Sequence, residues 1–306
     1  MAIPEADARA RRSEAGVNEH KRWRMLPTLA VAGFLLLLSA AAHAGSVVVT
    51  IIDGTKARAD ITLPNPGGGN YTAEFELEFE ANNLQNLTVQ CIGITADVLT
   101  PAEIADIEQN HLPHPWQSID TNFPVRVTVE PPAGCGLAFE DQYEVTLETD
   151  DLIYVPASQY RLVKRPIGGD FHYVTNSITQ GSVRSRGSSG GFSEFIIIKD
   201  PTPQYSADCT SEYDDLETRL RNSPMNLSAR RTLETDIAVS RAAYEAGAFT
   251  QAIALLAVFD AHCAAFGGEA LPNRWRSSRD LDNVEGDLIG HTDNLRFMMG
   301  RLSGSP

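Results

Sequence analysis

The chain has 306 residues, with 25 basic against 40 acidic side chains and a formal charge of −15. That excess of negative charge repels nucleic-acid phosphates and anionic lipid surfaces, so neither is expected as a partner. Apolar residues make up 42% of the chain, enough for a packed core and too many for wholesale disorder.

Residues 26–44 read LPTLAVAGFLLLLSAAAHA, entered from Lys21, Arg22 and Arg24. A basic flank, a short apolar run and an A-x-A ending at Ala44 are the marks of an export signal, with Gly45 as the new N-terminus. The run is too short and too rich in small residues to span a membrane well. Residues 1–20 are more than such a leader needs, and initiation near Val17 gives it ordinary proportions. Without residues 1–44 the acidic excess rises to 17. No cysteine follows the cleavage point, so no lipid anchor is expected on the mature chain. The expected location is the periplasm or the exterior.

The four cysteines are Cys91, Cys135, Cys209 and Cys263. An even number in an exported chain predicts disulfides, and three connectivities are open. Grouping by position favours Cys91 with Cys135 and Cys209 with Cys263. On the chain-entropy picture each bridge is worth about 4 kcal/mol. No C-x-x-C spacing argues for zinc instead.

From residue 46 to residue 199 the pattern is β. Residues 46–52 and 57–63 are β-branched runs, and PNPGGG at 64–69 is a turn. Tyr71, Ala73, Phe75, Leu77 and Phe79 alternate with Thr72, Glu74, Glu76, Glu78 and Glu80, which gives one face to a core and one to water. Residues 87–94 read as a further strand that carries Cys91. Thr100, Pro101 and Glu103 form a capping box with proline in the first turn, which predicts a short helix to about Asn110. Six more short strands follow, at 125–129, 143–147, 160–163, 172–175, 182–186 and 192–198. After Asp200, Pro201, Thr202 and Pro203 the periodicity becomes helical, with four amphipathic segments between Ser211 and Leu302. The expected architecture is an Ig-like antiparallel β-sandwich over 45–200, then a linker and small α-helical bundle over 201–306, an α+β multidomain chain.

Two resemblances attach to these residues. Ala243 to Gly247 forms A-x-x-x-G, followed by Ala252, Leu256 and Phe259; residues 229–302 thereby resemble the helical module at the C-terminus of many secreted bacterial proteins. That resemblance implies an interaction or spacer unit. Residues 161–199, with Gly168-Gly169 and the run Gly190, Gly191, Phe192, Ser193, Glu194, Phe195, resemble the closing strands of an uncharacterised family of secreted proteobacterial proteins. Neither resemblance implies an activity.

Few residues carry chemistry. Gly187, Ser189 and Gly191 match G-x-S-x-G, but that elbow needs a helix after it and a strand pattern follows. His111 and His114 are spaced H-x-x-H, a weak transition-metal candidate with Asp120 or Glu108 as third ligand. Asp280, Asp282, Glu285 and Asp287 lack the glycine of a calcium loop and fit a helix start. Arg161, Lys164, Arg165, Arg184 and Arg186 form an anion patch if their strands pair. With no dinucleotide fingerprint, P-loop or zinc signature, no cofactor is expected. The expected function is a non-catalytic binding or structural module of the cell envelope, its partner an envelope protein or a glycan. The alternatives are a hydrolase or carbohydrate-active enzyme using carboxylates such as Asp141, Asp150 or Asp151, and a periplasmic metal-binding protein.

Overall fold

The computed structural model describes residues 45–81, 84–179 and 181–304. The predicted export signal, with Ala44, lies outside these residues. The strands are β1 (Ser46–Ile51), β2 (Lys56–Pro64), β3 (Asn70–Phe79), β4 (Ile94–Val98), β5 (Ser118–Ile119), β6 (Val125–Val129) and β7 (Ala138–Glu140). They continue with β8 (Tyr143–Ile153), β9 (Tyr160–Arg165), β10 (His172–Tyr173), β11 (Thr175–Thr179), β12 (Ser182–Ser189), β13 (Glu194–Lys199) and β14 (Arg274–Arg276). The helices are α1 (Val89–Ile92), α2 (Pro101–Asn110), α3 (Tyr205–Asn222), α4 (Leu227–Glu245), α5 (Phe249–Phe266) and α6 (Val284–Leu302).

Strands β1-β2-β3-β8-β12-β11 make one antiparallel sheet and β10-β9-β13-β6-β4 a second, with β5 also on β13; β14 and β7 form a third. The fold is α+β. The alternation in β3 holds: Tyr71, Phe75, Leu77 and Phe79 are buried, while Glu74, Glu76 and Glu78 stand opposite Asp60, Arg58 and Lys56 on β2. Phe75 of the first sheet meets Phe195 of the second at 5.5 Å between ring centroids, and residues of both sheets share one core.

All six residues of β9 are buried, which a half-exposed strand would not show. Tyr160 and Leu162 belong to the core shared with the first sheet. Val163 faces the other way, into a smaller cluster with Ile107 of α2, Phe171, Ile196 and Ile198. By the same period of two, Lys164 falls on the inner side and Arg161 and Arg165 on the outer.

Residues 87–94 differ from the strand predicted there. The N–H groups of Cys91 and Ile92 both donate to the Thr88 carbonyl, closing the short helix α1. Cys91 and Ile92 are adjacent and both buried, which a strand with one inner face cannot provide. The Cys91–Cys135 disulfide forms, with Cα atoms 5.5 Å apart. The second predicted disulfide does not: Cys209 and Cys263 are buried free thiols. Their helices explain this. α3 packs on α4 and α6, and α5 also packs on α4 and α6, so the two cysteine-bearing helices occupy opposite corners.

The capping box is present in full. Thr100 Oγ1 accepts the Glu103 N–H at 3.2 Å, and the Glu103 carboxylate accepts the Thr100 N–H at 2.9 Å. α3 starts six residues before Ser211, the predicted cap. α6 starts at the Asn283 cap, whose side chain accepts the Gly286 N–H. The strand β14, which the sequence did not announce, pairs with β7 and sets Trp275 opposite Phe139.

Candidate functional site: a cleft between the sheets and the last helix

Lys164 ends the inner row of β9, directly opposite His172 on β10. Ser189 ends the inner row of β12 in the other sheet. The two side chains meet across the mouth of the shared core, where the Lys164 Nζ and the Ser189 Oγ are hydrogen-bonded. Both line a cleft of about 310 Å³ with His172, Tyr173, Ser188, Ser193, Asp215, Asp287 and His291.

Helix α6 closes this cleft because glycines let it approach the end of β12. A Cβ on Gly190 would stand 2.6 Å from the Asp287 nitrogen, and one on Gly286 would stand 2.7 Å from the Gly190 Cα. Neither gap accepts a methyl group. The close approach carries Asp287 and His291, one helical turn apart, over the strand. Three polar contacts hold the helix there. Ser188 Oγ donates to Asp293 at 2.6 Å, Arg219 of α3 reaches Asp287 at 2.7 Å, and the Asn283 amide donates to the Asp141 carbonyl at 2.5 Å. The Tyr143 hydroxyl donates to the Gly191 carbonyl at 2.8 Å and pins the segment after Ser189.

The charges here are set by burial. Lys164 has its pKa pushed down by desolvation, opposed by Asp287 and reinforced by Arg219. His172 is pushed down to about 3 by burial, with Lys164 and His291 adding to the effect. Burial would lower His291 too, but the Glu212 carboxylate, 2.5 Å from its Nδ1, reverses the sign and raises it. The pKa values of two imidazoles 6.4 Å apart between centroids are thus shifted in opposite directions. Asp215 is raised, first by burial and then by Glu212.

A second, wider cleft of about 640 Å³ shares Lys164, Pro166, Ser193 and Asp287 with the first. Phe192 and Trp275 line it, with Arg279, Asp280 and Asp282. The acidic group at the start of α6 therefore does more than cap the helix: Asp282 and Asp287 both bond Arg219.

The other residues singled out in the sequence separate. β9 and β12 lie in different sheets, so the five basic residues do not form one patch. Arg161 donates to the Ser158 and Tyr160 carbonyls and to Tyr205. Arg165 pairs with Glu194 at 2.5 Å and stacks on Phe171. Arg184 pairs with Glu148, and Arg186 is exposed on the outer face. His111 faces Asp170 at 2.8 Å, and His114 faces Asp208 at 2.5 Å while stacked on Trp116. The two rings have separate partners, and among the described residues no three His, Cys, Asp or Glu side chains are grouped to hold a metal. Asp141 lies near Asn273, whereas Asp150 lines a shallow groove with Arg184 and Asp151 accepts the Thr72 N–H. These three carboxylates share no cleft among the described residues.

Sequence reasoning found Ser189 and Lys164 separately and joined neither to the other. His172, His291 and Asp215 carried no signal, since each is a single polar residue in an ordinary strand or helix. The fold and cleft define an α+β protein with a polar site where two sheets meet a helix. The chain belongs to the family of unknown function DUF6689, which it matches over residues 32–303. A comparison with curated proteins finds no match.

Proposed function

We propose that this is an exported protein of the cell envelope that works by binding, and that its ligand is a glycan held in the joined clefts. The two large sheets would then serve as a sandwich-like scaffold and α3–α6 as a small bundle that supplies the cleft's second wall. The Cys91–Cys135 disulfide fits an oxidising compartment. The observation that carries the ligand class is the lining of the wider cleft. Phe192 and Trp275 offer apolar ring surface beside the hydrogen-bonding groups of Arg279, Asp280, Asp282 and Asp287. Sugars present that same pairing, an apolar C–H face and a rim of hydroxyls, and such sites are apolar pockets with a few placed polar groups.

The test is calorimetric titration of the mature protein with tetramers of β-linked N-acetylglucosamine and with uronic-acid tetramers, followed also by tryptophan fluorescence. The expected result is saturable binding to one class that weakens at least tenfold in Asp282→Ala. No heat and no fluorescence change at millimolar sugar would remove the glycan reading. Recovery of a native chain that still carries residues 26–44 would remove the export reading.

A further inference from the structure

Lys164 and Ser189 are both buried, and the one hydrogen bond of the lysine amine among the described residues is to that serine. A buried ammonium normally gathers carboxylates. Asp287, an acid whose charge acts on it, bonds Arg219. We propose that Ser189 is a nucleophile and Lys164 its general base, and that they act on a small O-acyl ester carried by the glycan; the substrate class rests on the glycan reading above.

The geometry supplies the parts such chemistry needs. A nucleophile is recognised by a base within hydrogen-bond reach, and serine with lysine is one of the known variants of that arrangement. Burial pushes the pKa of the amine down, against the pull of Asp287, which favours its role as a base. Arg219 of α3 and His172 of β10 also act with it, and Tyr173 of β10, Asp215 of α3 and His291 of α6 line the same cleft. The cleft at Ser189 holds about 310 Å³, with Pro166 and Val174 lining it beside its polar groups, so it has room for an acyl group next to the serine. The Gly191 N–H lies 3.4 Å from the Ser189 Oγ, where it could donate to the oxygen of a carbonyl bound beside that Oγ.

The step balances without a cofactor. The Ser189 Oγ attacks the ester carbonyl carbon as its proton passes to the Lys164 Nζ. The tetrahedral alkoxide collapses, the bond to the sugar oxygen breaks, and that oxygen leaves with the proton from Nζ. Water then attacks the acyl-serine and gives a proton to Nζ. Collapse releases the carboxylic acid and returns the proton to Oγ.

The experiment is labelling of the mature protein with an alkyl fluorophosphonate, read by intact mass. The expected result is a single adduct that is absent in Ser189→Ala and forms at least roughly 100-fold more slowly in Lys164→Met, the usual size of a general-base effect. The wild-type rate should rise with pH and level off below the ordinary lysine range. Near-UV circular dichroism confirms that both variants are folded. No adduct on folded wild type, or an equal adduct on Ser189→Ala, overturns the proposal. Sugar binding by Ser189→Ala without any wild-type adduct leaves the binding function standing and removes the chemistry. An adduct without sugar binding keeps the nucleophile and removes the glycan.

Discussion

Glu285 shows how one side chain can be tuned by what surrounds it. It is 2% exposed, and its Oε2 has no hydrogen-bond partner. Burial, then Asp141 and Glu140, push its pKa up to about 8. Gly267 makes the room, since a Cβ there would collide with that same Oε2. A carboxyl raised above its ordinary value contributes stability that is complete below pH 4.5 and is lost as pH climbs through about 8. Glu285→Gln keeps the neutral form at every pH. We expect the variant to match wild type near pH 5 and to exceed it by roughly 4 kcal/mol above pH 8. Denaturant titrations across that range measure the gap, and parallel pH curves for the two proteins would show that Glu285 is ionised in the fold.

At the level of elements, the contact of β12 with α6 depends on glycine. Gly190→Ala puts a methyl group 2.6 Å from the Asp287 nitrogen and 2.8 Å from the Asn283 carbonyl, where backbone cannot yield. The expected cost is about 2–3 kcal/mol of stability, seen as a lower denaturant midpoint, together with loss of the proposed sugar binding because Asp287 and His291 move away. Unchanged binding would mean that α6 does not shape the cleft. The helices also settle the thiols. Burial raises the pKa of both Cys209 and Cys263, so a thiol reagent should find none in the native protein and two in denaturant. Four would mean that the Cys91–Cys135 bridge is absent, and none in denaturant that the second pair is bridged. Periodicity made the strand β3, the capped helix α2 and the four late helices legible, because each rests on local spacing. The α1 turn, the separation of β9 from β12 and the diagonal placing of the cysteine helices are set by long-range pairing. The Lys164–Ser189 contact is of that kind: 25 residues and two sheets separate its partners.

The whole molecule raises the question of whether its sheet-rich and helical parts stand alone, since the sequence changes texture near Asp200. Several contacts argue that they do not. Residues 274–276 supply the strand that pairs with β7. Trp275 belongs to the core of the two large sheets, stacked on Phe139 at 5.4 Å and edge-on to Phe192 at 4.7 Å. The Ser277 N–H donates to the Leu137 carbonyl at 2.8 Å, and Arg279 reaches Glu130 at 2.9 Å. A fragment ending near residue 200 would lose the indole, open the β7 edge and leave the outer side of β11 and β12 without α6. Burying a large aromatic side chain is worth about 3 kcal/mol, and total stability is of the order of 10 kcal/mol, so the indole alone accounts for a large share of it. Residues 45–306 should therefore unfold in a single transition, with calorimetric and van't Hoff enthalpies in agreement. Residues 45–200 expressed alone should keep strand signal in far-ultraviolet circular dichroism while losing near-ultraviolet signal and binding a hydrophobic dye. A fragment with dispersed amide resonances and a melting point near that of the full protein would show instead two independent folding units. The cleft would then be an interface between domains, free to open when the ligand arrives.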